Sequence, residues 1–197
     1  PNAGADASVT LCETDAVIDL FTLLAGADVG GNWNRPDGSP GSGVIAPGSD
    51  ASGAYIYSIP ALAPCIADEA TVDVLIHPAA NAGADDSIDL CALSPAADLF
   101  ALLGTADGTG TWTTSDGSSF GGIYDPAVHV PDVFTYTVQA SAPCLAAEAS
   151  ITVNEIAAPE AGSDASLALC TTSGPTDLFL LLGSAQSGGN WTSPDGA

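Results

Sequence analysis

Cysteine is the residue type whose spacing in this chain points most clearly to a chemistry. Cys12 and Cys65 are 53 residues apart (65 − 12), and Cys91 and Cys144 repeat this separation (144 − 91). This repeated spacing of an early and a late cysteine predicts two disulfides, Cys12–Cys65 and Cys91–Cys144, which would form in an oxidising compartment. Each would contribute roughly 4 kcal/mol of stability on the chain-entropy account. Buried free thiols are the alternative interpretation, because a zinc site needs more ligands than these cysteines offer.

Residue constellations for catalysis are not found. His77 and His129 do not recur in equivalent places, and no Gly-x-Ser-x-Gly nucleophile elbow or Gly-rich phosphate loop accompanies them. The acidic residues recur at fixed intervals, which turn formation, capping and solubility explain better than acid–base catalysis. We therefore predict no catalytic residue, no cofactor and no enzymatic activity.

Calcium is the one ion for which the sequence offers candidate ligands. Asp6 and Asp85 occupy equivalent places near the expected module junctions. Carboxylate oxygens are the ligands that Ca²⁺ prefers, and extracellular arrays often use this ion at their linkers. The sequence contains no EF-hand loop, and capping of turns by these side chains is the alternative.

Glycosylation is the one modification that the sequence suggests. Asp86-Ser87-Ile88 fits a short bacterial O-glycosylation sequon, with Ser87 as the acceptor. Asn190-Trp191-Thr192 fits the N-glycosylation pattern, which matters only in a host that has that pathway.

The whole chain repeats with one fixed period. Cys12, Cys91 and Cys170 are 79 residues apart (91 − 12 and 170 − 91), and Trp33, Trp112 and Trp191 keep the same interval. A fixed period indicates an array of folded modules. We expect one module over residues 1–76, a second over 80–155 and the first half of a third over 159–197. The spacing places the partner of Cys170 beyond residue 197, so this half module should need later residues, or strands of another subunit, to complete it.

Composition excludes several classes of partner. The chain has 24 acidic residues, one basic residue and a net charge of −23, which repels nucleic acid and anionic membrane surfaces. No apolar stretch is long enough for a membrane-spanning helix, so we expect no membrane insertion. The one basic residue, Arg35, precedes a proline, so trypsin-like proteases have almost nothing to cut.

Short β-strands separated by Gly, Pro and Asp turns account for most of each repeat. Alternating runs such as residues 55–59 and 134–138, and the final runs 72–76 and 151–153, are typical of strands. The apolar stretch 17–24 predicts a strand that ends in a helical turn. This pattern predicts an all-β fold of tandem antiparallel β-sandwiches, each with one disulfide.

Each complete repeat contains a cysteine, a tryptophan, a tyrosine and a second cysteine in this order. In this respect it resembles an immunoglobulin-like module. The second cysteine departs from that pattern, because Cys65 follows Tyr57 by eight residues (65 − 57) instead of two. We therefore expect the disulfide to tie the first strand to the loop before the last strand, without joining the two sheets through the core.

The repeats follow the motif string Ala-Gly-x-Asp, Cys, Asp-Leu-Phe, Gly-x-Trp, Tyr-x-Tyr, Pro-Cys and Val-x-Val. This string also resembles the tandem repeats of large secreted surface proteins of Bacteroidetes. The resemblance covers the whole chain and implies gliding-, adhesion- or type IX secretion-associated proteins with a C-terminal sorting domain. It implies an extracellular or cell-surface fibre, filament or adhesin stalk, whose partners are copies of itself or further repeats. A carbohydrate-binding, lectin-like module with a glycan or surface ligand is the alternative, which exposed aromatic side chains on one face would favour.

Overall fold

The computed structural model describes residues 1–61 and 63–194 and shows two all-β modules followed by a partial third copy. The first module contains seven strands: β1 (Ala7–Cys12), β2 (Ile18–Asp19), β3 (Asn32–Asn34), β4 (Pro40–Gly41), β5 (Val44–Ile45), β6 (Gly53–Ile59) and β7 (Asp68–His77). The second contains their counterparts: β8 (Asp86–Cys91), β9 (Ala97–Asp98), β10 (Thr111–Thr113), β11 (Ser119–Phe120), β12 (Ile123–Tyr124), β13 (Val133–Val138) and β14 (Ala147–Ile156). The strands end at His77 and Ile156, one residue beyond the module ends predicted from sequence.

Each module is an immunoglobulin-like sandwich of one large and one small sheet. In the first module the large sheet has the order β1-β7-β6-β3-β4, and β2 pairs with β5 to form the small one. The second module repeats this arrangement as β8-β14-β13-β10-β11 and β9-β12. The predicted all-β sandwich is therefore confirmed.

The first and last strands of each module run parallel to each other. β1 pairs with β7 from Ala7 opposite Val72 to Cys12 opposite His77. β8 pairs with β14 in the same way, from Asp86 opposite Ile151 to Cys91 opposite Ile156. All other strand pairs in the two modules are antiparallel.

The predicted strand with a helical turn at its end is present. Ile18–Asp19 forms β2, and Leu20–Leu23 forms one 3₁₀ turn directly after it. The Asp19 carboxylate accepts the Phe21 N–H at 3.0 Å and so caps this turn. Leu20 is fully buried at the start of the turn, which explains why an apolar run appears here without strand periodicity.

Tryptophan and tyrosine form the centre of each core. Trp33 on β3 packs against Tyr57 on β6 with ring centroids 5.1 Å apart, and Trp112 packs against Tyr136 at 5.0 Å. The Tyr57 hydroxyl accepts the Gly31 N–H and donates to a backbone carbonyl, both at 2.8 Å. A glycine is required at this approach, because a Cβ on Gly31 would lie 2.6 Å from the tyrosine ring.

A tyrosine corner supports the immunoglobulin-like assignment. The Tyr55 hydroxyl on β6 donates to the Ala51 carbonyl oxygen, four residues upstream, at 2.9 Å. In immunoglobulin-like sandwiches this bond fixes the entry of the equivalent strand, next to the strand that carries the core tryptophan. The second module has Phe134 at the equivalent position, so its corner lacks this bond.

The third copy keeps the local turns of the first two but not their packing. In residues 159–194 the only element is a 3₁₀ turn at Phe179–Leu181. Trp191 is 59% exposed, whereas Trp33 and Trp112 are each 7% exposed. Asp195 and Gly196, which repeat the turn residues Asp37-Gly38 and Asp116-Gly117, lie outside the described residues.

The second module contains a matched pair of buried tyrosines whose hydroxyls differ in hydrogen bonding. Tyr124 is fully buried, and its hydroxyl has no hydrogen-bond partner, whereas the Tyr136 hydroxyl has two. We expect Tyr124→Phe to raise the free energy of unfolding by about 1 kcal/mol and Tyr136→Phe to lower it by about 1–2 kcal/mol. Urea unfolding measures both, and equal effects of the two substitutions would contradict this assignment.

Candidate functional site: the junction between the modules

Cys12 lies at the end of its module that adjoins the linker. It is the last residue of β1, opposite His77, the last residue of β7, because these two strands are parallel. The N–H of the next residue, Glu13, donates to the His77 carbonyl oxygen at 2.9 Å. The Asp15 carboxylate accepts the Cys12 N–H at 2.8 Å. These bonds place the Cys12 side chain beside the first residues of the linker.

Cys65 lies at the opposite end of the same module. It precedes β7, which begins at Asp68 and ends beside Cys12 at His77. A strand of this length spans about 30 Å. A disulfide needs Cα atoms within about 7 Å, so the predicted Cys12–Cys65 bond is wrong. The predicted Cys91–Cys144 bond is wrong for the same reason, because those residues flank the two ends of β14.

The disulfide in the structure joins the two modules. Cys12 bonds to Cys144 with a Cα–Cα distance of 4.9 Å and a sequence separation of 132 residues. Cys144 lies in the loop before β14, at the end of the second module that faces the first, and its sulfur is 3.4 Å from the His77 carbonyl oxygen. The expectation that a first strand is tied to a loop before a last strand is correct for the elements, but they belong to consecutive modules.

This bond stabilises the relative arrangement of the modules as well as their folding. On the chain-entropy account, a loop of 132 residues contributes about 5 kcal/mol when it is closed. Both bonded cysteines are buried, Cys12 at 3% and Cys144 at 8% exposure. Cys65 and Cys170 are exposed free thiols, and Cys91 is a half-buried free thiol.

The two candidate calcium ligands, Asp6 and Asp85, each accept a hydrogen bond within their own module. Asp6 accepts the Thr71 N–H at 2.8 Å, and Asp85 accepts the Ser150 N–H at 2.7 Å. Each bond therefore joins the segment before a first strand to the last strand. Within residues 1–61 and 63–194, no group of three or more His, Cys, Asp or Glu side chains is arranged to hold a metal ion. Calcium binding at Asp6 and Asp85 stays a prediction.

Other recurring acids also serve local turns. Asp98 caps the second 3₁₀ turn as Asp19 caps the first, accepting the Phe100 N–H at 3.0 Å, and Asp177 accepts the Phe179 N–H at 2.9 Å. Asp37 and Asp116 each accept an N–H two residues ahead at 2.9 Å, which forms the turns after β3 and β10. These bonds agree with the interpretation of the repeated acids as turn and capping residues.

Both histidines are half-buried. His77 ends β7, and His129 accepts the Asp125 N–H through Nδ1 at 3.0 Å. Asp50, the equivalent of His129 in the first module, accepts the Ala46 N–H in the same way at 2.9 Å. The imidazole of His129 therefore replaces a carboxylate in a turn.

The remaining predicted sites are accessible or buried as follows. Ser87, the predicted glycosylation residue, is exposed on β8, which lies at the edge of its sheet. The tryptophans of both complete modules lie in the core, so they are not available for stacking on sugars. No helix in the described part of the chain is long and apolar enough to cross a membrane.

Comparisons with known proteins give structural likeness only. No protein-family model and no curated protein matches the chain. A fragment of the titin I-band, I67–I69, matches with a TM-score of 0.39 and 10% identity over 78% of this chain and 64% of that one. The four N-terminal immunoglobulin domains of Dscam1 isoform 6.9 match with a TM-score of 0.41 and 12% identity over 79% of this chain and 44% of that one.

A third match has the same character. The immunoglobulin domains 1–5 of Sidekick-1 give a TM-score of 0.28 and 12% identity over 79% of this chain and 40% of that one. The chain thus spans less than two thirds of the length of each of these three structures. The immunoglobulin-like assignment rests on the strand order, the core tryptophan and the tyrosine corner described above.

The cysteine pairing can be tested directly on the 197-residue chain. We expect non-reducing mass spectrometry, after alkylation and cleavage at acidic residues, to find Cys12 linked to Cys144. Cys65, Cys91 and Cys170 should carry the alkylating group, because they are free thiols in the structure. Recovery of a Cys12–Cys65 or Cys91–Cys144 peptide would contradict the junction described here.

Acid should weaken the turn that follows β10. Hydrogen bonds from the Thr114 hydroxyl and the Ser118 amide lower the pKa of Asp116 to about 2 from its usual 3.8. A carboxyl with a depressed pKa in the folded state stabilises that state above pH 4, and this contribution is lost as the pH falls towards 2. NMR titration should show this pKa, and Thr114→Val should raise it. An Asp116 carboxyl that titrates near 3.8 in both proteins would contradict the assignment.

Proposed function

We propose that this chain is part of an extracellular structural fibre, filament or adhesin stalk, built from tandem immunoglobulin-like modules and without a catalytic role. The observation that supports the proposal most is the Cys12–Cys144 bond. A covalent bond across the junction keeps consecutive modules together in addition to the backbone, which is useful for a protein that transmits force.

The position of this bond determines which part of the chain carries tension. When the ends of the chain are pulled, tension passes through residues 1–12, the disulfide and the residues after Cys144. The 131 residues between the two cysteines (144 − 12 − 1) are shielded. Once unfolded, they could otherwise span about 460 Å. The disulfide therefore limits how far the pair of modules can stretch.

Charge and compartment agree with a location at the cell surface or in the surrounding matrix. Disulfides persist in oxidising environments, which include the extracellular space. A net charge of −23 keeps such a fibre soluble and apart from its neighbours. We propose further modules of the same kind as its partners, with nucleic acid excluded by charge.

A carbohydrate-binding role finds less support. Lectin-like stacking needs exposed aromatic rings, and both tryptophans of the complete modules are buried against tyrosines. Trp191 is exposed, but it belongs to the partial third copy, and its equivalents are core residues. A glycan or surface ligand would therefore have to bind elsewhere on the modules.

Immuno-electron microscopy of the producing cells tests this proposal. Antibodies raised against residues 1–156 should label filaments or matrix on intact cells, without permeabilisation. Antibody that has been absorbed with the purified chain is the control. Label that appears only after permeabilisation, or protein found only as a dispersed component of the medium, would contradict a surface fibre.

A further inference from the structure

The free thiol of Cys91 occupies the same environment as the bonded Cys12. Cys91 ends β8 opposite Ile156, as Cys12 ends β1 opposite His77. The N–H of Ala92 donates to the Ile156 carbonyl oxygen at 3.0 Å, which matches the 2.9 Å bond from Glu13 to His77. The far end of the second module is therefore arranged like the bridged end of the first.

The free thiol of Cys65 corresponds in turn to the bonded Cys144. Both follow a proline in the loop before the last strand of their module, and both precede an exposed aliphatic residue. Ile66 is 84% and Leu145 is 85% exposed. Cys144 meets the early cysteine of the module before it, and Cys65 has no such cysteine before it within residues 1–197.

Cys65 and Cys91 cannot bond to each other within one chain. Cys65 lies at the end of the first module that faces away from the second, and Cys91 lies at the end of the second that faces away from the first. Since the last strand of each module alone spans about 30 Å, the two thiols are far beyond the Cα separation of about 7 Å that a disulfide tolerates.

We infer that Cys91 is one half of a second junction disulfide, whose other half is the late cysteine of a complete third module, one repeat period after Cys144. Cys65 is the late half of an equivalent bond to a module placed before the first. Every junction of the array then carries one disulfide between the early cysteine of one module and the late cysteine of the next. The inference rests on the proposed function only for the presence of further modules.

The bond forms by ordinary thiol–disulfide exchange. The two cysteine thiols lose two protons and two electrons, and a disulfide-bearing oxidant such as oxidised glutathione accepts them and leaves as two thiols. The Cys12–Cys144 bond requires the same oxidant, so no chemistry is added that the structure does not already need.

Bonds at every junction would overlap along the sequence. The loop from Cys12 to Cys144 already encloses Cys91, so the next loop begins before this one ends. Each backbone bond of an interior module therefore lies inside at least one closed loop. A single proteolytic cut in such a module leaves the array covalently continuous.

The overlapping bonds would also prevent extension. In a stretched array, the shortest covalent path crosses the Cys12–Cys144 bond and then follows the backbone from Cys144 to Cys170. Cys170 is the next early cysteine on this path, where another junction disulfide begins. The segment from Cys144 to Cys170 spans about 90 Å when fully extended. Two folded modules in line, each with a last strand of about 30 Å, and their linkers are on the order of 80 Å long. The covalent path is therefore about as long as the folded array, which leaves little slack for unfolding.

A chain extended by half a module tests the inference. Residues 1–197 are followed by a second copy of residues 119–156, which completes the third module in register because residue 198 is equivalent to residue 119. The leucine after the appended cysteine is exchanged for valine, so that its peptide differs in mass from the peptide of Cys144. The protein is refolded in a glutathione redox buffer, alkylated and mapped by non-reducing mass spectrometry, with the 197-residue chain as control.

We expect Cys91 to be linked to the appended cysteine in the extended chain and alkylated in the control, with Cys12–Cys144 present in both. Alkylated Cys91 beside an intact Cys12–Cys144 bond would overturn the inference, and so would a link from Cys91 to Cys144. Native protein, alkylated during harvest, gives a second measurement that needs no appended segment. Its Cys91 peptide should be recovered in a disulfide, and a freely alkylated Cys91 would again overturn the inference. Neither result depends on where imaging locates the protein.

Discussion

The parallel pairing of the first and last strands is the constraint on which the rest of this structure depends. Because β1 and β7 run in the same direction, the cysteine that ends β1 lies at the end of its module where β7 also stops. The loop that precedes a last strand lies at the other end. Early and late cysteines of one module are therefore kept apart, and those of consecutive modules are brought together. An antiparallel first strand would reverse this relation and close each module on itself.

Most of the other recurring residues stabilise this strand arrangement within each module. Asp6 and Asp85 join the start of each first strand to its last strand, and the turn and capping acids fix the short loops between strands. The tyrosine hydroxyls on β6 and β13 satisfy backbone groups that the glycine-rich entry to the tryptophan strand leaves open. Repetition at a fixed period then copies the whole arrangement, including its cysteine positions. The position of the disulfide between modules is thus determined by the strand arrangement of one module and by the repeat period.

Much of the fold was predictable from sequence, because its signals are local. The alternation in β6 and β13, the strand and helical turn around Leu20, and the burial of Trp33 and Trp112 each follow from residue types within a few positions. The disulfide pairing was not predictable in the same way. Parallel and antiparallel strands that are buried on one face share a period of two, so the sequence of β1 does not state its direction relative to β7. Only the eight-residue separation of Tyr57 and Cys65 indicated that the bond avoids the core.

The distance between Cys12 and Cys65 tests this account most directly. Nitroxide labels on these two thiols, in a chain that carries Cys91→Ser, Cys144→Ser and Cys170→Ser, can be measured by double electron–electron resonance. Circular dichroism shows whether the substituted chain keeps its β structure. We expect a separation of about 30 Å or more, since the residues lie beside opposite ends of the ten-residue strand β7. A distribution centred below about 15 Å would place both cysteines at one end of the module and would contradict it.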